Sequence, residues 1–280
     1  MNKCKVVSFF IFFILLLLVF AQSALLADPT LSGGKGQFRV LAADNEPFYV
    51  GMPLLYFSFY QGYANEKIEE SSEEPERTLS NTLTLTFILT SKIELSTAFK
   101  GMIHPTLDKL VIEQDSHEWK LKYLAFQQGA LSLSVAPDFS FPFGDNEEAR
   151  SMFGGYLIGT VRSAITKDLP LEFNSNIGFF SSEEFLLPVG FSASLLTKHS
   201  EFFFEYSADN LTGSDTEMRI TPGIRLNARR GITLTFAFDK TFSTVYPDKR
   251  YNLLFTWLGP FAVFGAEREE TKEAEPEEIH

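Results

Sequence analysis

The feature that most constrains the fold is an alternation of apolar and hydroxyl-bearing residues with a period of two. It is clearest in Thr78–Thr90, TLSNTLTLTFILT, where leucine or phenylalanine fills almost every second position and serine or threonine fills most of the others. Period two is the side-chain repeat of a β-strand, so the stretch predicts a strand with one apolar and one polar face. The class of protein depends on whether the apolar face meets a protein core or lipid.

Strand-like runs of this kind follow one another closely from Pro47 onward. There are about twelve, and short links between neighbours are typical of an up-and-down meander. An even number of strands also fits a bacterial outer-membrane barrel. The predicted strands are Phe48–Tyr60, Leu79–Thr90, Lys92–Ile103, His117–Phe126, Ala130–Phe141, Met152–Ala164, Pro170–Ser182, Phe185–Thr197, Ser200–Asp209, Glu217–Asn227, Ile232–Phe242 and Arg250–Trp257.

The links between these strands alternate in length. Tight turns carry basic residues such as Lys92, Lys167 and Arg229, whereas longer links such as Gln61–Thr78 and His104–Ser116 include the most glutamate-rich stretch of the predicted barrel. Outer-membrane barrels have short periplasmic turns and longer extracellular loops. We therefore predict that the tight turns and both chain termini lie in the periplasm.

The apolar faces carry too many large side chains to fit inside a soluble barrel. Glu217–Asn227, EMRITPGIRLN, has five apolar residues on one face and mostly charged or polar residues on the other. About twelve such strands would overfill a small barrel, and a sandwich would need crossovers that the sequence lacks. If the apolar faces instead point outward, they must meet lipid, and the sheet must close on itself because open edges are not tolerated there. The prediction is an all-β, closed, up-and-down antiparallel transmembrane β-barrel of about twelve strands at residues 47–265.

The first 27 residues have the order of a secretory signal peptide. Two lysines precede the apolar run Val6–Phe20, and small residues follow it, with cleavage expected after Ser23 or Ala27. Removal of this segment takes away Cys4, the only cysteine, and shifts the net charge from −12 to −14. Disulfides are then excluded, and the acidic balance argues against a nucleic-acid partner.

Two further segments flank the predicted barrel. Residues 28–46 contain SGGKGQFRVLAAD, whose glycines lack the spacing of a phosphate-binding loop, so we interpret this lead-in as a flexible connector with one short strand at Gln37–Ala43. Residues 266–280 contain seven glutamates and no aromatic residue. Such a composition predicts a disordered acidic tail.

Strand parity directs a set of charged side chains inward. Facing residues of a hairpin have a nearly constant sum of residue numbers. This rule predicts a Glu205–Arg219–Asp239 row across three strands and an Arg162–Glu172 pair across two. The predicted lumen-lining residues are Lys100, Lys120, Lys122, Asp138, Arg162, Glu172, Glu201, Glu205, Arg219, Arg225 and Asp239.

One stretch carries a family resemblance. The sequence LSLSVAPDFSFPFGD, in which the strand end Phe139–Phe141 runs into a Pro-x-Gly-Asp loop, is followed by GGYLIGTVRSAI and LEFNSNIGFF. This order resembles the outer-membrane barrel transporters of the phenol-degradation MetA-pathway type. The resemblance implies an outer-membrane location and a transport-like role, without catalytic residues.

The sequence supports three functions in decreasing order. The first is a narrow outer-membrane pore or transporter for small solutes. The second is a non-conducting surface or scaffold barrel that interacts through acidic extracellular loops, and the third is a barrel hydrolase. His104 and His117 flank one long link, but no motif singles out a nucleophile, a metal site or a cofactor. The expected partners are outer-membrane lipid, the barrel-assembly machinery and small solutes.

Overall fold

The computed structural model describes residues 30–31, 35–44, 54–66, 76–105, 110–142, 151–166, 169–181, 185–197, 200–211, 216–227, 232–242 and 249–258. These residues form one antiparallel sheet in which β1 pairs with both β2 and β13, and β6 pairs with both β5 and β7. The sheet is thus closed into a twelve-stranded barrel, since the two-residue β8 pairs with the end of β7 in the same register as β9 and forms one interrupted strand with it. The strands are β1 Leu54–Glu66, β2 Glu76–Thr90, β3 Ile93–Pro105, β4 Leu110–Gln128, β5 Leu131–Pro142, β6 Met152–Thr166, β7 Leu169–Ser181, β8 Phe185–Leu186, β9 Val189–Leu196, β10 Ser200–Ala208, β11 Met218–Asn227, β12 Ile232–Phe242 and β13 Lys249–Leu258.

The apolar faces of the strands point away from the barrel, as predicted. Along β5, Leu133 and Phe139 are 44% and 37% exposed, whereas Ser134 and Asp138 are each 3% exposed. The alternation of β2 has the same direction, with Thr78, Thr82, Thr84 and Thr86 buried inside the barrel and most of its leucines turned outward. Its one clear departure is Ile88, which points inward and is completely buried. None of the described residues belongs to a helix long and apolar enough to cross a membrane.

Several strand boundaries differ from the prediction. β1 begins at Leu54 and continues to Glu66, six residues beyond its predicted end. β3 and β4 extend to Pro105 and from Leu110, so that they take up most of the predicted loop His104–Ser116. The ladder continues because backbone hydrogen bonds between strands do not need alternating side chains. The predicted signal peptide and acidic tail lie outside the described residues.

Of the two predicted cross-strand arrangements, one is confirmed and the other is wrong. Arg162 lies opposite Glu172, as predicted, and its Nε donates to the carboxylate at 2.9 Å. The row Glu205–Arg219–Asp239 is wrong, because Arg219 lies opposite Ser207 and Thr241. Both ladders of β11 are displaced by two residues from the prediction, since Ser207 takes the place of Glu205 on β10 and Thr241 takes the place of Asp239 on β12. A displacement of two residues changes the partners but keeps every side chain on its predicted face.

Candidate functional site: a polar lumen crossed by an N-terminal hairpin

Residues 35–44 lie inside the barrel as a tight hairpin, which we call the lumenal hairpin. The Gln37 N–H donates to the Val40 carbonyl at 3.0 Å, and the Ala42 N–H donates to the Lys35 carbonyl at 2.8 Å. Gly36 permits this turn, since a Cβ at its position would lie 2.3 Å from the Val40 carbonyl oxygen. The segment is therefore a folded, enclosed element, and the expected connector with a strand at Gln37–Ala43 is wrong.

Apolar residues hold the hairpin at two places. Phe38 is completely buried in a cluster with Tyr60, Phe203, Leu254 and Ala237, all on the inner wall. A second cluster joins two other hairpin residues to the opposite part of the wall, and its members are Leu41, Ala43, Ala136 and Ile158. Burying such side chains stabilises the docked hairpin by roughly 1.5–3 kcal/mol for each large residue.

The tip of the hairpin binds two carboxylates of the wall. The Arg39 guanidinium donates to both oxygens of Asp239 at 3.0 and 2.6 Å. The backbone N–H groups of Phe38 and Arg39 donate to Glu205 at 2.6 and 2.9 Å. Burial by itself would lower the pKa of Arg39, but the Asp239 carboxylate outweighs it and holds that pKa above its ordinary value.

Arg225 connects the first half of the hairpin to the wall. Its guanidinium donates to the Glu201 carboxylate at 2.7 Å and to the backbone carbonyls of Gly36 and Gln37 at 3.1 and 2.7 Å. The Gln37 side chain in turn donates to Ser194 Oγ at 3.1 Å. Arg225 has no exposed surface, so these acceptors replace the water that its charge would otherwise bind.

The second half of the hairpin is held by the strands on the other side of the lumen. Lys122 donates to the carbonyls of Ala42 and Asp44 at 3.1 and 2.8 Å and forms an ion pair with Glu94 at 2.8 Å. The Ala43 N–H donates to Thr160 Oγ1 at 2.7 Å. Both halves of the hairpin are therefore tied to the wall through their own backbone groups.

Asp44 closes the base of the hairpin. Its carboxylate forms ion pairs with Lys35, at 2.7 Å, and with Arg162. Burial by itself would raise the pKa of Asp44, but the two cations outweigh it and lower that pKa to about 2. The carboxylate is thus charged throughout the physiological range.

The eleven residues predicted to line the lumen all carry inner-face parity, and most of them touch the hairpin. Lys100, Lys120 and Asp138 lie apart from it and share a network with Glu118. Arg219 binds Glu217 and Asp209 near the rim of the longer links. The members that contact residues 35–44 are Lys122, Arg162, Glu172, Glu201, Glu205, Arg225 and Asp239.

Strict alternation does not predict the apolar inner residues that receive the hairpin. Phe203 lies within the run FFF, and Leu254 lies within LLF. In both runs an apolar residue occupies an inner-face position where strict alternation requires a polar one. Such interruptions, together with Phe38 and Leu41 in the lead-in, were the available signal for an element inside the lumen.

The described residues contain no group of three or more His, Cys, Asp or Glu side chains that could hold a metal ion. His117 faces outward, where its ring stacks on Phe99 and its Nε2 lies 2.7 Å from Thr97 Oγ1. It is therefore separated by the barrel wall from the charged lumen. The geometry around His117 offers no arrangement for general acid–base catalysis on a lumenal solute.

Comparisons with known proteins identify the fold. No family model and no curated protein matches the chain. Among solved structures, the KdgM porin aligns with 11% identity and a TM-score of 0.51 over 73% of this chain and 99% of its own. The KdgM porin in complex with disordered oligogalacturonate aligns over the same shares with 9% identity and a TM-score of 0.52. The COG4313 outer membrane channel from Pseudomonas putida F1 has 12% identity and a TM-score of 0.46 over 78% of this chain and 98% of its own.

At such low identity these likenesses establish the fold alone. The chain has the closed antiparallel barrel found in outer-membrane porins. The resemblance to the MetA-pathway barrels stays a prediction.

Proposed function

We propose that this chain is an integral bacterial outer-membrane channel for small solutes, and that the lumenal hairpin must move for the channel to conduct. The observation that carries the proposal is the polar interior, in which Arg39 of the hairpin binds the wall residue Asp239, and the wall residues Arg225 and Lys122 bind hairpin carbonyls. Water can replace such contacts when the hairpin leaves, whereas a continuous apolar core would not be hydrated. Displacement would leave a lumen lined by the charged residues named above.

The outward apolar face supports a membrane location, because large apolar residues such as Leu133 and Phe139 are exposed on that side. The fold shared with porins supports the outer membrane. The alternation of link lengths supports periplasmic termini. In this arrangement lipid surrounds the barrel, the assembly machinery inserts it, and no residue acts as a catalyst.

A second function is favoured by the same hairpin. A barrel whose lumen stays occupied would serve as a closed scaffold that presents acidic loops outside the cell. The two functions differ in one measurable property, the passage of ions.

An engineered disulfide distinguishes them. Val40→Cys and Gly190→Cys place two Cβ atoms within disulfide reach, because a Cβ at Gly190 would lie 2.8 Å from Val40 Cγ2, so oxidation should tie the hairpin to β9. In planar bilayers we expect the reduced double variant to conduct and the oxidised one to be silent. The Val40→Cys single variant is the control and should not respond to oxidation.

The closed-scaffold function predicts a different result. The reduced double variant, the unaltered protein and a variant without residues 35–44 would then all fail to conduct after correct folding. That outcome would overturn the channel.

A further inference from the structure

A cavity of about 280 Å³ lies in the lumen between the hairpin tip and the rim of the longer links. Its floor includes Arg39 and Val40 of the hairpin. The wall residues that bear on ligand binding are Leu31, Lys100, Pro188, Val189, Ser207, Arg219 and Arg250. We call this cavity the vestibule. Its volume is at the lower end of the range for small-molecule sites.

Three of the four cations around the vestibule already have carboxylate partners. Arg39 binds Asp239, Lys100 binds Glu118, and Arg219 is paired as described above. Each of these positive charges is therefore largely balanced within the barrel. The balance leaves little attraction for a second anion at those three positions.

Arg250 is the exception. It faces Asp239 in the ladder between β12 and β13, but both Asp239 oxygens accept hydrogen bonds from Arg39. Arg250 Nε is buried and, within the part of the chain that the structure describes, has no hydrogen-bond partner. A buried cationic donor without an acceptor costs more than an ordinary unsatisfied group. Arg250 is therefore the cation around the vestibule for which the described residues show no carboxylate partner.

Ser207 provides a second unsatisfied group. Its side chain is 7% exposed, and its Oγ has no hydrogen-bond partner among the described residues. A hydroxyl can donate one hydrogen bond and accept others, so it fits a neutral oxygen of a ligand. Arg250 and Ser207 lie on β13 and β10, separated by two strands, and would contact different parts of one molecule.

The remaining wall is partly apolar. Leu31, Val40, Pro188 and Val189 all line the vestibule. A bare inorganic anion would leave these side chains without a partner, whereas the carbon chain of an organic acid would pack against them. The three features together describe a ligand with one negative charge, a short apolar body and a second oxygen.

We propose that the vestibule binds a small organic monocarboxylate that carries a hydroxyl group. The carboxylate pairs with Arg250, the carbon chain lies along Val40 and Pro188, and the hydroxyl bonds to Ser207. This site goes beyond the proposed channel, because binding to the folded protein does not require conduction.

The test measures binding to the purified, folded protein by calorimetry at low salt. The probes are 4-hydroxybutanoate, butanoate, the neutral 4-hydroxybutanamide and inorganic phosphate. We expect 4-hydroxybutanoate to bind at least tenfold more tightly than the amide, and Arg250→Gln to abolish that difference. Lys249→Gln is the matched control, since it removes an exposed positive charge one residue away and should leave both affinities unchanged.

Ser207→Ala provides the second, independent measurement. It should weaken binding of 4-hydroxybutanoate without changing that of butanoate, and it decides the matter if Arg250→Gln fails to fold. Equal binding of acid and amide, no binding of either, or affinities that neither variant alters would overturn the proposal. Phosphate binding that equals or exceeds that of 4-hydroxybutanoate would also overturn it, because the site would then be one for inorganic anions.

Discussion

The guanidinium of Arg39, at the tip of the lumenal hairpin, holds the carboxylate of Asp239 on β12 through two hydrogen bonds of 3.0 and 2.6 Å. The pair joins residues 200 positions apart in the chain. Thr221 on the neighbouring strand donates to the same carboxylate at 2.8 Å. Asp239 is thus fully engaged only while the hairpin is in place.

Replacing Arg39 should release the hairpin. Arg39→Met keeps much of the side-chain length but leaves Asp239 buried without its cation, and breaking a buried pair in this way typically costs about 3–5 kcal/mol. We expect a higher open probability in planar bilayers. The Arg39→Met/Asp239→Asn double variant should show less than the sum of the two single effects, because the interaction is lost only once. An open probability no higher than that of the unaltered protein would contradict this anchoring role.

Acid should weaken the base of the hairpin through Asp44. Its folded pKa of about 2 lies below the ordinary value of 3.8, so its contribution to stability is present above that value and disappears as the pH falls through about 2. At neutral pH the unaltered protein should be more stable than Asp44→Asn by about 2 kcal/mol. Thermal unfolding of both proteins from pH 7 to pH 2 measures this difference. A difference that does not change with pH would contradict the assignment.

Two glycines of β6 should respond differently to alanine. A Cβ at Gly154 would lie 2.2 Å from the backbone carbonyl of Phe179 on β7, and this atom cannot move without breaking the ladder. Overpacking of this kind costs about 1–3 kcal/mol. At Gly159 the nearest atom is Ser175 Oγ at 3.3 Å, which can rotate away. Urea titrations in lipid vesicles should show a clearly lower free energy of unfolding for Gly154→Ala and little change for Gly159→Ala. Equal decreases for the two variants would argue against the β6–β7 packing.

The orientation in the membrane can be tested with a glutamate-specific protease. If the longer links face the outside, intact cells should be cut within residues 67–75, which contain four glutamates between β1 and β2. Cleavage there only after the outer membrane has been opened would reverse the orientation. The same preparation reports whether the C-terminal glutamates become accessible only after opening, as periplasmic termini require.

The sequence by itself determined the class of fold and the face of each strand. Alternation along β5 specifies which residues meet lipid, because a strand turns successive side chains to opposite faces whatever its neighbours are. The Arg162–Glu172 pair was predictable for a related reason. Their two strands are joined by a tight turn, and the register predicted from the centre of this turn is the one observed.

Only the tertiary structure decided the register of both ladders of β11 and the place of the lumenal hairpin. The links on either side of β11 can each close around more than one centre, and a displacement of Arg219 by two residues in each ladder leaves the alternation unchanged. The hairpin residues Phe38 and Arg39 find their partners on strands far along the chain. Those contacts form only when the barrel has closed around the segment. Periodicity describes residues that are neighbours in sequence, so it does not identify which residues meet across the lumen.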